Sequence, residues 1–356
     1  MNRRSFLKTL GACLLAAGSS DALAFFGSPK LTAEQRKTLE GLLIIDAHAH
    51  PDGYRIDGKT RDSAASLEAI RDLGMAACAF AAIGDTGAAT RGRMTGSDYD
   101  LAKVQLDYWM DGPVKAGKVK LFRKASDIPA SAGPGTVPGA ILSIEGGNAL
   151  SGNSDRVNDF HDYGVRMITL VHLGANELGE STASGQGTGL TAAGRRVVER
   201  MQERGVLVDV AHASLLTLKH VGEISRRPIV DSHTHLCASA DAARCGRLRT
   251  WQGMEIVAKT GGVVCTWPMA DNARSKRETF RDWAREIKEM KQRLGMEHVG
   301  LGTDGGGGVP KFIDGWRDVR DLVHLVAAMQ EEGFTRKEIS AYLGGNFHRV
   351  LRKSIG

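Results

Sequence analysis

The chain has 356 residues, of which 42% are hydrophobic and 25% charged, and its formal net charge is +6. This weak basic excess, with no run of Lys and Arg, gives no reason to expect a nucleic acid partner. The five cysteines include no CxxC pair, so the sequence does not predict a small disulfide scaffold either.

The first residues predict an export signal. Arg3 and Arg4 precede an apolar stretch over residues 10–18, and Ala-Leu-Ala at 22–24 is a small-residue cleavage site. The arginine pair is similar to that of twin-arginine signals. We therefore expect residues 1–24 to be removed, with no integral membrane span afterwards, and residues 25–356 to form one domain in the periplasm or elsewhere outside the cytoplasm. Lipoprotein anchoring at Cys13 is the less favoured alternative.

From Leu42 onward, short runs of Val, Ile, Leu and Ala alternate with amphipathic stretches. Continuous apolar runs are typical of parallel strands buried on both faces, and the stretches between them are typical of crossover helices. The predicted strands cover residues 42–46, 76–82, 138–144, 166–172, 206–211, 228–232, 262–267 and 298–303. This pattern predicts an α/β fold, a (β/α)8 TIM-type barrel.

The helical signals between the strands agree with this order. Thr191 is the predicted N-cap of a helix over residues 192–204 that ends at Gly205, and residues 276–294 and 317–332 carry apolar positions at helical spacing. Two irregular segments, 83–97 and 173–190, fall where the loops that shape a barrel's active rim are expected.

Residues that can bind a metal follow five of the apolar runs. They are His48, His50, Glu145, His212, His233 and Asp304. Two residues that are two apart on a strand point to the same face, so the first pair of imidazoles can reach one ion. The C-terminal strand ends of a parallel barrel meet on one rim, and this many ionisable groups would be costly to bury there unpaired. The sequence therefore predicts a metal site.

The order and spacing of several motifs resemble the membrane (renal-type) dipeptidases, zinc peptidases of the amidohydrolase-like barrel group. The motifs are Asp46-Ala47-His48-Ala49-His50-Pro51, Ile144-Glu145-Gly146-Gly147, Thr169-Leu170-Val171-His172 with Asn176, Val208 to Ser214, Ser232-His233, Gly302-Thr303-Asp304 and Gly344-Gly345-Asn346-Phe347. The resemblance covers nearly all of the mature chain. It implies an amidohydrolase-like barrel.

The resemblance also implies two Zn²⁺ ions per chain. His48 and His50 would bind one ion, His212 and His233 the other, and Glu145 would bridge them. His50 stands where the family usually has Asp, which removes one negative charge from the first site but retains a ligand. His235 repeats the spacing of His233 and is the alternative ligand.

The family's remaining catalytic roles fall on fewer residues. Asp304 matches the proton-transferring carboxylate, and His172 matches the residue that donates to the substrate's developing oxyanion. A substrate carboxylate is held by an arginine, which spacing assigns to Arg247 or, as the alternative, Arg244. Gly305 and Gly306 replace the aromatic residue and Asp that usually follow the catalytic carboxylate.

The function implied by this resemblance is hydrolysis of small dipeptides outside the cytoplasm. A hydrolase of the same barrel group that acts on a lactone, an N-acyl amino acid or an ester is the nearest alternative. A catalytically silent metal-binding barrel is disfavoured because Asp304 and Glu145 are both present. The sequence does not decide whether the chain forms a homodimer. It also does not decide whether Cys237 and Cys245 form a disulfide, because it does not give the distance between them.

Overall fold

The computed structural model describes residues 29–51, 66–86, 95–185, 187–239, 244–271 and 275–356. The predicted signal peptide with Cys13 lies outside these residues, as do residues 87–94 of the first predicted loop. Among the helices of the described ranges, none has the length and apolarity needed to cross a membrane.

Eight parallel strands of the described chain follow one another in sequence order around a barrel, which confirms the predicted fold class. They are β1 (Ile45–Ala49), β2 (Ala77–Ile83), β3 (Gly139–Glu145), β4 (Met167–Thr169), β5 (Leu207–Asp209), β6 (Val230–Thr234), β7 (Val263–Thr266) and β8 (Val299–Leu301). A two-residue strand, Lys120–Leu121, was not predicted and pairs with the start of β3.

The barrel is closed at its C-terminal rim by hydrogen bonds between the end of β1 and the chain that follows β8. The N–H of Asp304 donates to the carbonyl of His48 at 2.8 Å, and the N–H of His50 donates to the carbonyl of Gly305 at 2.8 Å. Three residues of the predicted site, His48, His50 and Asp304, therefore also belong to the seam of the barrel.

Helices surround the strands. The helices are α1 (Ala33–Leu39), α2 (Leu67–Leu73), α3 (Asp98–Trp109), α4 (Arg156–Tyr163), α5 (Ala192–Arg204), α6 (Leu215–Ile224), α7 (Trp251–Lys259), α8 (Phe280–Leu294), α9 (Leu322–Glu331), α10 (Arg336–Ser340) and α11 (Asn346–Ser354). The α5 prediction is confirmed: Thr191 accepts from the Gly194 N–H, and Gly205 ends the helix at φ 74°. Helix α8 starts at Phe280 and not at residue 276 as predicted, because Arg277 forms an antiparallel β-bridge with Asp271.

The strands are buried on both faces, as the continuous apolar runs predict. In β2, Cys78 and Phe80 belong to the core that the strands share with the surrounding helices. The alternate residues Ala77 and Ala79 belong to a second cluster, which includes Phe347 of α11. Successive residues of one strand point into two different apolar clusters. The strand sequences therefore have no polar face.

Most strand boundaries differ from the prediction by one to three residues. The largest shift is in β1, which covers Ile45–Ala49 and not 42–46. Leu42 donates its N–H to Leu39, in the turn that leaves α1, and the pairing with β2 begins only at Ile45. As a result His48 lies within the strand, and His50 directly follows it.

Candidate metal centre

The structure brings together all six of the predicted metal-site and proton-transfer residues at the C-terminal rim of the barrel. They form two groups on either side of Glu145, the last residue of β3. We call the first group, His48, His50 and Asp304, the β1/β8 half. We call the second group, His212 and His233, the β5/β6 half.

In the β1/β8 half, both histidines turn their Nε2 atoms toward the same point. The two Nε2 atoms lie 3.2 Å apart. His48 Nε2 is 3.5 Å from Glu145 Oε1, and His50 Nε2 is 3.3 Å from Glu145 Oε2. Asp304 Oδ1 is 3.5 Å from His50 Nε2 and 3.8 Å from His48 Nε2.

The β5/β6 half repeats this arrangement from the opposite side. The Nε2 atoms of His212 and His233 are 3.1 Å apart. They lie 3.1 Å and 3.3 Å, respectively, from Glu145 Oε1. The Glu145 carboxylate, with 2% of its side chain exposed, thus lies between the two halves: Oε1 is near His48, His212 and His233, and Oε2 is near His50.

These separations are also the ones expected of nitrogens that share one divalent metal. Two nitrogens that are each about 2.05 Å from one tetrahedral zinc lie about 3.3 Å apart, close to the 3.2 Å and 3.1 Å observed. Imidazole and carboxylate are also the ligands that zinc accepts. The donor set and its spacing therefore fit a metal centre.

Hydrogen bonds at Nδ1 direct the Nε2 atoms of two of the imidazoles toward Glu145. His50 Nδ1 is 2.7 Å from the Ala81 carbonyl, which can only accept, so Nδ1 carries the proton. Ser232 donates its hydroxyl to Asp209 Oδ2 at 2.7 Å and can then accept from His233 Nδ1 at 2.9 Å. In both residues Nε2 is thereby available to a metal.

The backbone also takes up unusual conformations at this centre. His212 has a φ of 63° and Asp304 a φ of 51°, in the left-handed region that non-glycine residues rarely adopt. The following Gly306, at φ 81°, has no room for a side chain because a Cβ there would lie 2.3 Å from the His50 carbonyl oxygen. Its close approach to β1 explains a glycine at this position.

The protonation states of the histidines differ between the two halves. Burial lowers the pKa values of His212 and His233 well below the ordinary range, so both are neutral. Burial also opposes protonation of His50, but the Asp304 and Glu145 carboxylates raise its pKa to about 10. A metal that binds to His50 must therefore displace a proton.

His172 lies beside Glu145, with its Nε2 3.7 Å from Glu145 Oε2. Its Nδ1 is 2.7 Å from Asp85 Oδ1, and the Leu173 N–H donates to Asp85 Oδ2 at 3.2 Å. Burial would lower the pKa of His172, but the Glu145 and Asp85 carboxylates raise it above its ordinary value. The ring is therefore held by Asp85 with Nε2 facing the centre.

Of the two candidate arginines, Arg247 lies at the centre and Arg244 is exposed. The Arg247 Nη2 donates to the His233 carbonyl, and its guanidinium carbon lies 5.1 Å from the centre of the Trp267 ring. Among the described residues no partner accepts from its buried Nε and Nη1 atoms. Two guanidinium donors are thus available for a ligand.

His235 and Trp267 do not join the metal centre. The Trp267 Nε1–H donates to His235 Nδ1, which turns this imidazole away from Glu145. Trp267 is 4% exposed and packs beneath Arg247. Of the two histidines with metal-ligand spacing on β6, the structure therefore places His233 next to Glu145.

Sequence analysis missed two residues that hold the site in place. Asp85 lies two residues after the end of β2, close to a strand end like the residues that were found, so the same rule could have identified it. Arg249 is 3% exposed and donates to Asp231, Ala213 and Val210. Nothing local distinguishes it from the neighbouring arginines.

Comparisons with known proteins agree with this geometry. Residues 57–355 match the sequence profile of a family described as membrane dipeptidase (peptidase family M19). Dipeptidase tcpJ of Claviceps purpurea is 27% identical over 269 residues, which are 73% of this chain and 60% of that protein. The chain therefore spans only about 60% of the length of this relative.

Two solved structures share the fold. The probable dipeptidase PvdM from Pseudomonas aeruginosa has a TM-score of 0.74 and 19% identity, over 90% of this chain and 97% of its own. A metallo peptidase from Rhodobacter sphaeroides, liganded with a phosphinate mimic of the dipeptide L-Ala-D-Ala, has a TM-score of 0.73 and 20% identity, over 88% of this chain and 99% of its own. At these identities the likeness shows the barrel fold alone.

Proposed function

This chain belongs to the membrane dipeptidase family (peptidase family M19), and from that membership we propose that it is a metal-dependent dipeptidase. The observation that carries the proposal is the convergence of four imidazole nitrogens on the Glu145 carboxylate at 3.1 to 3.5 Å. A buried cluster of this kind is costly unless a cation compensates it, which supports a metal-dependent reaction.

The proposed cofactor is a pair of zinc ions. His48 and His50 would hold one ion, His212 and His233 would hold the other, and Glu145 would serve both. Such a metal would supply Lewis-acid polarisation of the scissile carbonyl and a lower pKa for the attacking water. Neutral imidazole suits this role, and the low pKa values of His212 and His233 keep these two rings in that form.

Two residues move or stabilise charge during the proposed reaction. Asp304 takes the proton of the attacking water on its carboxylate and passes it to the nitrogen of the leaving amine. His172 donates from Nε2 to the substrate oxygen that becomes negative, and the Asp85 contact keeps this nitrogen directed at the site.

The free carboxylate of the dipeptide is bound by Arg247. Its Nε and Nη1 atoms have no acceptor among the described residues, and the second N–H of Nη2 can pair with one of them to hold a carboxylate. Arg244, which is exposed, is the alternative that we do not favour. An arginine that recognises the substrate carboxylate would make short peptides with a free C-terminus better substrates than the corresponding amides.

The setting of the reaction follows from the sequence. We propose that residues 1–24 direct export by a twin-arginine-type route, that residues 25–356 act as one domain outside the cytoplasm, and that the chain can pair as a homodimer. Mass spectrometry of the secreted protein, which should lack residues 1–24, tests the export signal. The molecular mass of the purified protein in solution tests the homodimer.

The experiment that tests the function measures metal per chain by elemental analysis on the purified protein, together with hydrolysis of L,L and L,D dipeptides. We expect about two zinc ions per chain, as in two-metal hydrolases, and dipeptide turnover that is lost on chelation and restored by zinc. Metal without dipeptide turnover would instead favour a lactone, N-acyl amino acid or ester substrate. Failure to bind metal after reconstitution would refute the proposal and leave a catalytically silent barrel whose metal site has decayed.

A further inference from the structure

A small hydrophobic cluster lies beside the metal centre and joins the loops that follow three neighbouring strands. We call it the rim cluster. It comprises Cys237, Cys245, Leu248, Trp267 and Met269, with Val309 packed against it. The first three residues follow β6, the next two follow β7, and Val309 follows β8. The cluster thus fixes three loops of the rim relative to one another.

A disulfide closes the β6 part of this cluster. Cys237 and Cys245 are bonded, with their Cα atoms 5.5 Å apart and their side chains buried. Beside the disulfide, the Cys237 N–H donates to the Arg249 carbonyl at 2.7 Å, and the Arg249 N–H donates to the His235 carbonyl at 3.0 Å. The chain around Arg249 is therefore attached to the chain that leaves β6.

Arg247 lies between these two attachments, two residues after Cys245 and two before Arg249. Its side chain is held by the hydrogen bond to the His233 carbonyl and by the Trp267 ring. Trp267 itself belongs to the rim cluster. The position of the guanidinium therefore depends on the backbone next to the disulfide and on the rim cluster, which contains both the disulfide and the Trp267 ring.

We propose that the Cys237–Cys245 disulfide is a positioning element for Arg247 and thereby sets the affinity of the site for the free carboxylate of its substrate. This inference rests on the proposed dipeptidase function. The disulfide supplies none of the proposed metal ligands, so we expect its loss to leave metal binding intact. It acts on substrate binding and not on the chemical step.

The test compares the wild-type holoenzyme with the double variant Cys237→Ser, Cys245→Ser on one dipeptide and on the same dipeptide as its C-terminal amide. Loss of a charge-assisted carboxylate contact predicts a KM for the free acid that rises about 10-fold or more, with kcat changed by less than about 3-fold. The amide lacks the carboxylate, so its KM is unchanged, and metal content is the same in both proteins.

Cys78→Ala is the matched control, because it alters a buried cysteine that lies outside the rim cluster. It should keep the wild-type ratio of the two KM values even if it lowers stability. Should the double variant not fold, reduction of the wild-type holoenzyme with a phosphine, with the two new thiols counted, makes the same comparison.

Three results are distinguishable. An unchanged KM for the free acid, with both thiols shown to be reduced or absent, overturns the positioning role. An equal rise of KM for acid and amide also overturns it, because the effect is then not on carboxylate recognition. If the wild-type enzyme hydrolyses no dipeptide at all, the proposed function fails first and the positioning role fails with it.

Discussion

The β1/β8 and β5/β6 halves of the candidate metal centre each contain the same kind of buried hydrogen-bond network. In each, an aspartate of a strand accepts hydrogen bonds from two main-chain N–H groups with one oxygen, and from one or two side-chain hydroxyls with the other. Asp46 accepts from the N–H groups of His48 and Thr303 and from the Thr303 hydroxyl. Each such aspartate joins the ends of neighbouring strands and is itself fully buried.

Asp209 repeats the pattern in the other half. It accepts from the N–H groups of Ala211 and Ser232 with Oδ1, and from the hydroxyls of Thr169 and Ser232 with Oδ2. Burial raises the pKa of both aspartates above the ordinary range, to about 6 for Asp46. A buried carboxylate is tolerated where several donors compensate for its lost hydration.

The two networks differ in where they end. The Asp209 network continues through the Ser232 hydroxyl to His233 Nδ1 and so fixes a ligand ring. The Asp46 network continues through the Thr303 hydroxyl to the Gly305 N–H and so fixes backbone. In that half His50 is held by a main-chain carbonyl instead. The same kind of network thus orients a side chain in the β5/β6 half and closes the barrel in the β1/β8 half.

Glu145 contacts both halves, so Glu145→Gln tests whether they act together. We expect activity to fall by about 1,000-fold or more and metal content to drop, because the amide cannot offer a charged oxygen to each ion. Elemental analysis and dipeptide turnover measure this. Glu286→Gln, which changes a buried carboxylate paired with Arg277, is the control and should retain the metal. Full metal content in Glu145→Gln would show that neither half depends on this carboxylate.

Asp304 belongs to the β1/β8 half without acting as a proposed ligand. Asp304→Asn should lower kcat by about 100-fold or more, the usual loss when a general acid–base group is removed. Metal content should stay at the wild-type value. Retention of full turnover on the true substrate would show that another group transfers the proton.

Ser232→Ala and Thr303→Val separate the two network endings directly. Ser232→Ala leaves His233 Nδ1 without its acceptor and should weaken zinc affinity about 10-fold, as is typical for groups that orient a ligand. Thr303→Val should lower the free energy of unfolding by about 1 to 3 kcal/mol while metal affinity stays nearly constant. Zinc titration and denaturant unfolding of both variants measure these effects. Equal losses of zinc affinity in both would contradict the distinction.

Asp85 lies outside both halves of the metal centre, so we expect its substitution to leave metal binding in both halves unchanged. In Asp85→Asn, the amide can accept from only one of its two donors, so His172 Nδ1 or the Leu173 N–H loses its acceptor. We expect kcat to fall about 10-fold, equivalent to about 1.4 kcal/mol, with metal content unchanged. Steady-state kinetics compare it with Asp107→Asn, an exposed carboxylate that bonds Tyr163. A kcat equal to that control would remove Asp85 from the mechanism.

Much of the fold could be predicted because its signals are local. The apolar runs of the eight strands and the cap residues Thr191 and Gly205 act through neighbours a few residues away. Strand ends were less predictable, since the limit of β1 depends on pairing with β2 and on the turn that leaves α1. The Lys120–Leu121 strand, with one exposed residue and one half-buried residue, carries no apolar run to detect.

The candidate site divides in the same way. The rule that polar groups follow buried strands, together with the family resemblance, identified the residues of both halves. The rule does not state which partner each residue meets. Asp85 contacts His172, 87 residues away, and the Thr303 hydroxyl contacts Asp46, 257 residues away. These contacts exist only because the barrel brings distant strand ends to one rim.

The sequence by itself determined the barrel, its family and the residue types at its rim, because periodicity and strand-end chemistry are properties of short segments. Only the tertiary structure decided that Arg247 and not Arg244 lies at the centre, that Cys237 is bonded to Cys245, and that His235 turns to Trp267. Each of these depends on side-chain direction and on distances across the rim, which the packing of the strands and their loops sets.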